Sequence, residues 1–444
     1  MSYANTVSTW IQDLKEGFEP LIKGSFASIL LRACGHFLRL CSAIIIARFL
    51  GVEGYGIYSY AFAVTAILST PSMLGLDHLV VRFIPGYIKE KKMELARAII
   101  IFTFFMGCCT ALLILGFAEF LTTSFNLVDE QYSPVLLVMF FTMPIINLST
   151  IRQAILRAFN LPIYAQIPEN IVYPLFLILF AFICSQSYGS TIDPIHLAYA
   201  NIFAWIICLF VGFYFFYKFI IPKIKHIESV YKKDDWLKPL PFLTLSVAAY
   251  LVFSRVEVIV MGALLSEREV GLYTAAARGA ELIQFMYEAA CLVGTSMFAA
   301  HFASKDRKKL QAFTTRSTLL IVAITTPFYF LFIVLAPEFL LLFGNEFVAV
   351  TPVIRILITT FYLSTFGGYI IIMLYMTGDQ REVAIVMWLA VGMNLCLSLS
   401  LIPSWGMMGA ALASGISLIL MKASLVYFLY RKHAICSLPI PLKK

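Results

Sequence analysis

Arg32, His36 and Arg39 interrupt the apolar run LLRACGHFLRLCSAIIIA at positions i, i+4 and i+7. On a helix that spacing puts all three on one face. A charge held at mid-bilayer costs about 2.5–3.5 kcal/mol on insertion scales, so a basic stripe in a membrane-length segment needs a purpose. No acid lies between Lys23 and Arg48 to neutralise it. Two arginines and a histidine suit an anion, and guanidinium groups grip phosphates in bidentate fashion. Arg32 and Arg39 are therefore candidate ligands for a diphosphate, with His36 beside them.

Other charges fall inside apolar segments. Arg255 and Glu257 are two residues apart, which on a continuous helix points them to nearly opposite sides. Arg278, Glu281 and Glu288 occupy less than a quadrant of one helix. Arg255 and Arg278 either extend a cationic cavity or pair with Glu281 or Glu288. Glu257, Glu281, Glu288 and Glu169 are the candidates for ion coupling or ion pairing, Glu169 as a cavity acid or an interfacial one. Arg278 and Arg355 lie near span ends, within reach of the outer interface, and Lys422 is expected to snorkel to the cytoplasmic surface. Asn147, Asn170, Asn201 and Asn394 read as hydrogen bonders between helices.

These side chains need helices to carry them, and the composition supplies them. Hydrophobic residues make up 61% of the 444 and charged residues 13%, about half the charge of an ordinary soluble domain. With a mean hydropathy of +0.87 and apolar runs of about 20 residues along the whole length, the chain reads as an all-α integral membrane protein. Spans are predicted near 25–47, 55–76, 95–118, 134–156, 164–185, 195–217, 241–264, 271–298, 315–336, 352–376, 383–402 and 408–430. Ahead of them Trp10, Ile11, Leu14, Phe18, Leu21 and Ile22 recur at helical spacing, as in a short helix lying in the membrane surface. The first 20 residues hold no apolar core of a cleavable signal. Eight of the nine cysteines, Cys291 and Cys396 among them, fall inside apolar spans and read as packing residues, with no metal-ligand spacing.

Lysine and arginine set the orientation. They crowd the N-terminus, alternate loops and the C-terminus, with Arg152, Arg157 and Lys305 counted among them, whereas the other loops offer only Arg48 and Arg268. Both termini are thus expected in the cytoplasm. The net charge of +8 follows from this and asks for no nucleic-acid partner.

The chain also repeats itself. GVEGYGIYSYAF at 51–62 is echoed by SEREVGLYTAAA at 266–277, so that Gly56-Ile57-Tyr58-Ser59 matches Gly271-Leu272-Tyr273-Thr274. A weaker echo sets Arg82-Phe83 before KEKKMELAR against His301-Phe302 before KDRKKLQAF. Six spans separate the copies, so both have the same orientation and form two parallel six-helix lobes. The expected division is a lead-in at 1–23, a first lobe ending at 225, a charged cytoplasmic linker at 226–240 and a second lobe at 241–444. No phosphate-binding GxxxxGK[ST] loop, HExxH, CxxC pair or GxSxG is present, and no metal or cofactor is expected.

ARFLGVEGYGIYSYAF followed by LGLDHLVVRFI resembles the N-terminal signature of the Wzx-type polysaccharide-export flippases. Their superfamily also holds the lipid II flippase and the multidrug MATE exporters. SRVEVIVMGALLSEREVGLYTAAAR resembles the start of a second lobe, and LIPSWGMMGAALAS the joint between the last two of twelve spans. The resemblance implies a V-shaped pair of lobes that carries an undecaprenyl-diphosphate-linked oligosaccharide across the bacterial inner membrane. The repeat unit would serve a surface polymer such as the O-antigen of lipopolysaccharide. A polymerase and a chain-length regulator are the partners so implied, and an H⁺ or Na⁺ gradient the driving force. Two alternatives stand beside it: an ion-coupled exporter of organic cations with the same fold, and a membrane glycan enzyme or assembly scaffold. Proton-coupled multidrug relatives characteristically carry an acid in the first span, and here none is present.

The charge asymmetry generates a direct prediction. With single cysteines placed in a cysteine-free background, a membrane-impermeant maleimide should label position 126 or 345 in intact cells and miss position 233. Labelling of 233 from outside would overturn the orientation.

Overall fold

The computed structural model describes residues 2–125, 131–188, 192–303 and 307–439, with side chains from Leu30 onward except 125, 188, 233, 242, 246–247, 289–303, 307–309 and 376. The amphipathic lead-in, Cys291, Asn126 and residues 301–309 of the second basic echo lie outside the side chains so described. Among the described residues the elements are helices, with no strand. That is the physical expectation for a chain solvated by hydrocarbon, where each backbone N–H and C=O must find its partner inside the segment.

Each predicted span coincides with helix. The first two fall on Ser2–Met73, which is broken at Gly51 (φ 69°, ψ −174°); a positive φ there is open to glycine at no steric cost. The last two fall on Gln380–His433, broken in the same way at Gly406 (φ 53°). Between them lie Met93–Phe125, Pro194–Phe219, Glu267–Ala303 and Arg307–Val334 as continuous helices. The remaining spans are segmented. The fourth divides into Ser133–Phe140 and Thr142–Ala158, just ahead of Pro144. The tenth divides into Thr351–Thr365 and Ile370–Met376 around Gly368 (φ 57°). The seventh is not the single helix expected: Leu240–Phe253 and Val256–Leu264 meet at a 51° bend. Eight described helices are long and apolar enough to cross a membrane, or nine with that bent pair. This is a multi-pass membrane protein.

The buried residues show how the lobes join. One apolar cluster is shared by both halves, running from Ala43, Tyr58 and Met143 to Tyr273, Phe343 and Ile402. A second belongs to the first half and includes Leu79, Ile155 and Phe216. A third belongs to the second half and includes Tyr369, Met387 and Leu425. The halves share a core at one end and have largely separate cores at the other, where Leu240 and Leu243 join the first half's cluster and Gly75 meets Leu243 and Thr244; the result is a V. Residues 226–240 do not hang free at the open end. Trp236 is fully buried in the first half's cluster, its Nε1 donates to Tyr87 Oη at 3.0 Å, and Val230 N donates to Glu94 O at 3.3 Å.

The repeated Gly-x-Tyr corners lie at the fused end, in contact with each other. A Cβ on Gly56 would stand 1.9 Å from Glu267 O and 3.0 Å from Gly271 N. A Cβ on Gly271 would stand 2.1 Å from Val52 O and 3.0 Å from Gly56 N. The contact is reciprocal and entirely backbone, so nothing in it can yield. Arg48 Nε ties the halves beside it, donating to Leu342 O at 2.6 Å, and Arg268 pairs with Glu346 within the second half at 2.6 Å. Tyr55 packs its ring against Phe343 and Phe347.

Gly56→Ala and Gly271→Ala should each cost about 1–3 kcal/mol through overpacking, read as a lowered melting temperature of the purified protein. Gly86→Ala, where a Cβ would meet nothing within 4 Å, should cause no such loss.

Candidate functional site

Where the lobes part, two cavities adjoin and share Arg255, Val258, Thr274, Arg278 and Glu281 as a common wall. One, of about 310 Å³, lies between the first two spans and the seventh and eighth, and takes in His36, Arg39, Tyr55 and Tyr58. The other, of about 470 Å³, reaches into the second lobe past Tyr250, Glu288 and Lys422, with Arg32 at its rim. Exposure rises along both flanking helices away from the glycine corners. On the first span it climbs from fully buried Ala47 through half-buried Arg39 to exposed Arg32; on the eighth it climbs from buried Ala280 to exposed Glu288. The chamber is therefore shut at the corners and open at the end that bears the basic loops.

Arg32, His36 and Arg39 all line this chamber, as their spacing predicts. Their partners were not legible in the same way. Arg39 donates through Nη1 to Asn170 Oδ1 at 3.0 Å, and Arg32 through Nε to Gln166 Oε1 at 3.3 Å. Both acceptors are neutral amides, so the two positive charges are oriented without being cancelled. His36 packs against Phe285 of the eighth span, ring centroids 4.6 Å apart and planes tilted by 44°, bridging the lobes. The amides are delivered by the fifth span, where Pro168–Val172 forms a π-helical turn. Such turns shift the register of the residues around them and recur at functional sites. The first span approaches closely because Gly35 has no side chain: a Cβ there would stand 2.7 Å from Asn170 Cβ. The IPEN segment with its internal proline was the available signal for this turn. Asn170 is the interhelical hydrogen bonder expected, and the partner it selects is the cationic face.

Glu169, on the same turn, takes the ion-pairing alternative. It pairs with Arg152, whose side chain is fully buried. That corrects the placement of Arg152 among the loop cations: it sits inside Thr142–Ala158. Gly212 makes the room, since a Cβ there would stand 2.4 Å from the guanidinium carbon. Burial of this arginine is tolerable only because a carboxylate meets it.

The second lobe's charges also settle into particular places. Arg278 bonds both carboxylate oxygens of Glu281, at 3.3 and 3.0 Å, facing the chamber and not the outer interface. Because the seventh span breaks at Ser254-Arg255, Arg255 and Glu257 both line the larger cavity and do not diverge. Arg255 lies over the Phe62 ring at 5.8 Å, while Glu257 accepts from Asn394 Nδ2 at 2.8 Å. Glu288 accepts from Gln284 Nε2 at 3.0 Å. Lys422 does not snorkel. It is 8% exposed, donates to Tyr287 Oη at 3.1 Å and sits 4.8 Å from that ring's centroid, on the wall of the cavity. Arg355 stays exposed and donates to Ile333 O at 3.2 Å.

A sequence profile described as "polysaccharide biosynthesis protein" matches residues 21–293. No curated protein sequence matches the chain. Solved structures do, at low identity and nearly full length. An inward-facing multidrug resistance MATE family transporter of the MOP superfamily aligns with a TM-score of 0.74 and 16% identity, over 90% of this chain and 95% of that one. An outward-facing structure of such a transporter gives 0.68 and 14%, over 93% and 95%. A MOP superfamily transporter from Pyrococcus furiosus, described as having a binding pocket of reverse polarity, gives 0.66 and 14%, over 93% and 95%.

The buried pair in the first lobe yields a test of structure apart from transport. Glu169→Gln strands Arg152 and should destabilise the protein by about 3–5 kcal/mol, seen as a large drop in melting temperature. The double change Arg152→Met with Glu169→Leu should recover most of that loss, because no uncompensated charge remains.

Proposed function

The chain belongs to the polysaccharide biosynthesis protein family, and from that premise we propose that it is a flippase for a polyprenyl-diphosphate-linked oligosaccharide. In this reading it moves the repeat unit of a bacterial surface polysaccharide, such as an O-antigen, from the cytoplasmic to the outer leaflet of the inner membrane. Residues 1–225 and 241–444 are its two six-span lobes, and 226–240 is the cytoplasmic connection. Both termini face the cytoplasm, so the chamber described above opens inward and the glycine corners close the outer side. Alternating access would then part the corners and bring the basic ends together.

The observation that carries this reading is the first-lobe wall. Arg32 and Arg39 line the chamber, each held by a neutral amide, so their charge is available to a ligand. A diphosphate is the anion such forks fit, through charge-assisted hydrogen bonds about twice as strong as neutral ones. An exporter of organic cations would want a carboxylate where Arg39 meets Asn170. Of the four acids considered for coupling, Glu169 and Glu281 are committed to Arg152 and Arg278. Glu257 and Glu288 are left to answer an H⁺ or Na⁺ gradient.

The test is glycan export per molecule of membrane-inserted protein, in cells lacking their own flippase. Arg39→Ala and Arg32→Ala should abolish export with little loss of inserted protein, and Arg→Lys at either position should restore it only in part, since the ammonium loses the fork. Asn170→Asp should also depress export, because a carboxylate there would neutralise Arg39. Wild-type export by both alanine variants would refute the assignment.

A further inference from the structure

We propose that the larger cavity, inside the second lobe, is a saccharide subsite that seats an uncharged sugar of the transported glycan. The proposal rests on the flippase reading and adds where the glycan goes. The two walls of the chamber differ in chemistry. The first lobe presents Arg32, His36 and Arg39. The second balances Arg255, Arg278 and Lys422 with Glu257, Glu281 and Glu288, and adds a linked row of neutral and acidic acceptors: Gln284 Nε2 donates to Glu288 Oε1 at 3.0 Å and to Tyr250 Oη at 3.4 Å. Carboxylates repel a diphosphate, but carboxylate and amide oxygens are the acceptors that sugar hydroxyls require. A tyrosine adds an apolar ring face for the C–H side of a pyranose and a hydroxyl at its rim. Tyr250 is 47% exposed and Glu288 is exposed, so this row faces the chamber and does not seal a core.

Size and position agree. About 470 Å³ falls within the range of pockets that enclose small ligands. The cavity meets the smaller one at Arg255 and Arg278. A glycolipid with its diphosphate at Arg39 could therefore pass its first sugars directly across. The deeper wall is apolar, with Leu357, Ile371, Met387 and Leu418; the rival occupant of such a wall is the polyprenyl chain, and the experiment separates the two.

The full-length protein in lipid nanodiscs is titrated with two probes. One is undecaprenyl diphosphate without sugar. The other is the polyprenyl-diphosphate-linked repeat unit extracted from cells that lack a flippase. Tyr250→Ala and Gln284→Ala should each weaken the glycolipid about tenfold, as loss of a hydrogen-bonding partner does, and leave the bare diphosphate at its wild-type affinity. Equal weakening of both probes would give the cavity to the prenyl chain, and no weakening of either would leave it without a ligand role; both overturn the subsite. Arg39→Ala, which should weaken both probes, tests the diphosphate assignment separately. If it alone had no effect, the flippase reading would fail while the contrast between probes still decided the subsite.

Discussion

The cost of holding charge in hydrocarbon governs this architecture. Arg32, Arg39, Arg255, Arg278 and Lys422 lie within the apolar segments predicted to span the membrane, and none could face lipid at mid-depth without a heavy penalty. All five line the space between or within the lobes. A chamber that admits water lets them stay charged, and keeping that chamber open requires two separate cores at one end of the molecule. The V is thus the shape in which such a sequence can be soluble in a membrane and charged inside it.

Opening one end puts a demand on the other. The fused end must hold the lobes with a contact that is tight yet small enough to part. Glycine meets this by bringing backbone against backbone: Gly56 and Gly271 leave no space for even one methyl. Beside them Arg48 of the first lobe donates to the Leu342 carbonyl of the second, while Arg268 and Glu346 pair within the second lobe. The interface owes its fit to shape, with little interlobe ionic attraction to overcome when it opens.

Within the lobes, intramembrane charges are treated in two ways. Fully buried Arg152 is neutralised by Glu169, and Arg278 is matched by Glu281 at the cavity edge. Arg32 and Arg39 receive amide oxygens instead. An amide fixes a guanidinium in position and leaves its field intact, which a carboxylate would not. One π-helical turn on the fifth span serves both purposes, presenting Asn170 to the first span and Glu169 to Arg152. Structural and ligand-facing arginines are thereby separated by a single residue step.

The sequence by itself determined the all-helical membrane class and the basic face of the first helix. Both depend on local composition or on a period of 3.6, which one segment carries alone. The glycine corners were legible because the chain writes them twice. What only the tertiary structure decided is which charges meet. The ion pairs open to Arg278 and to Glu169, the partners of Arg39, and the side to which Lys422 turns all depend on neighbours far away in the chain. Lys422 shows why: snorkelling is the cheap solution for a lone lysine near a helix end, and it loses once Tyr287 supplies a hydroxyl and a ring within reach. The break before Val256 was hidden for the same reason. Its apolar run has no proline or glycine at the bend, and only the folded chain brings Arg255 and Glu257 to the wall of one cavity.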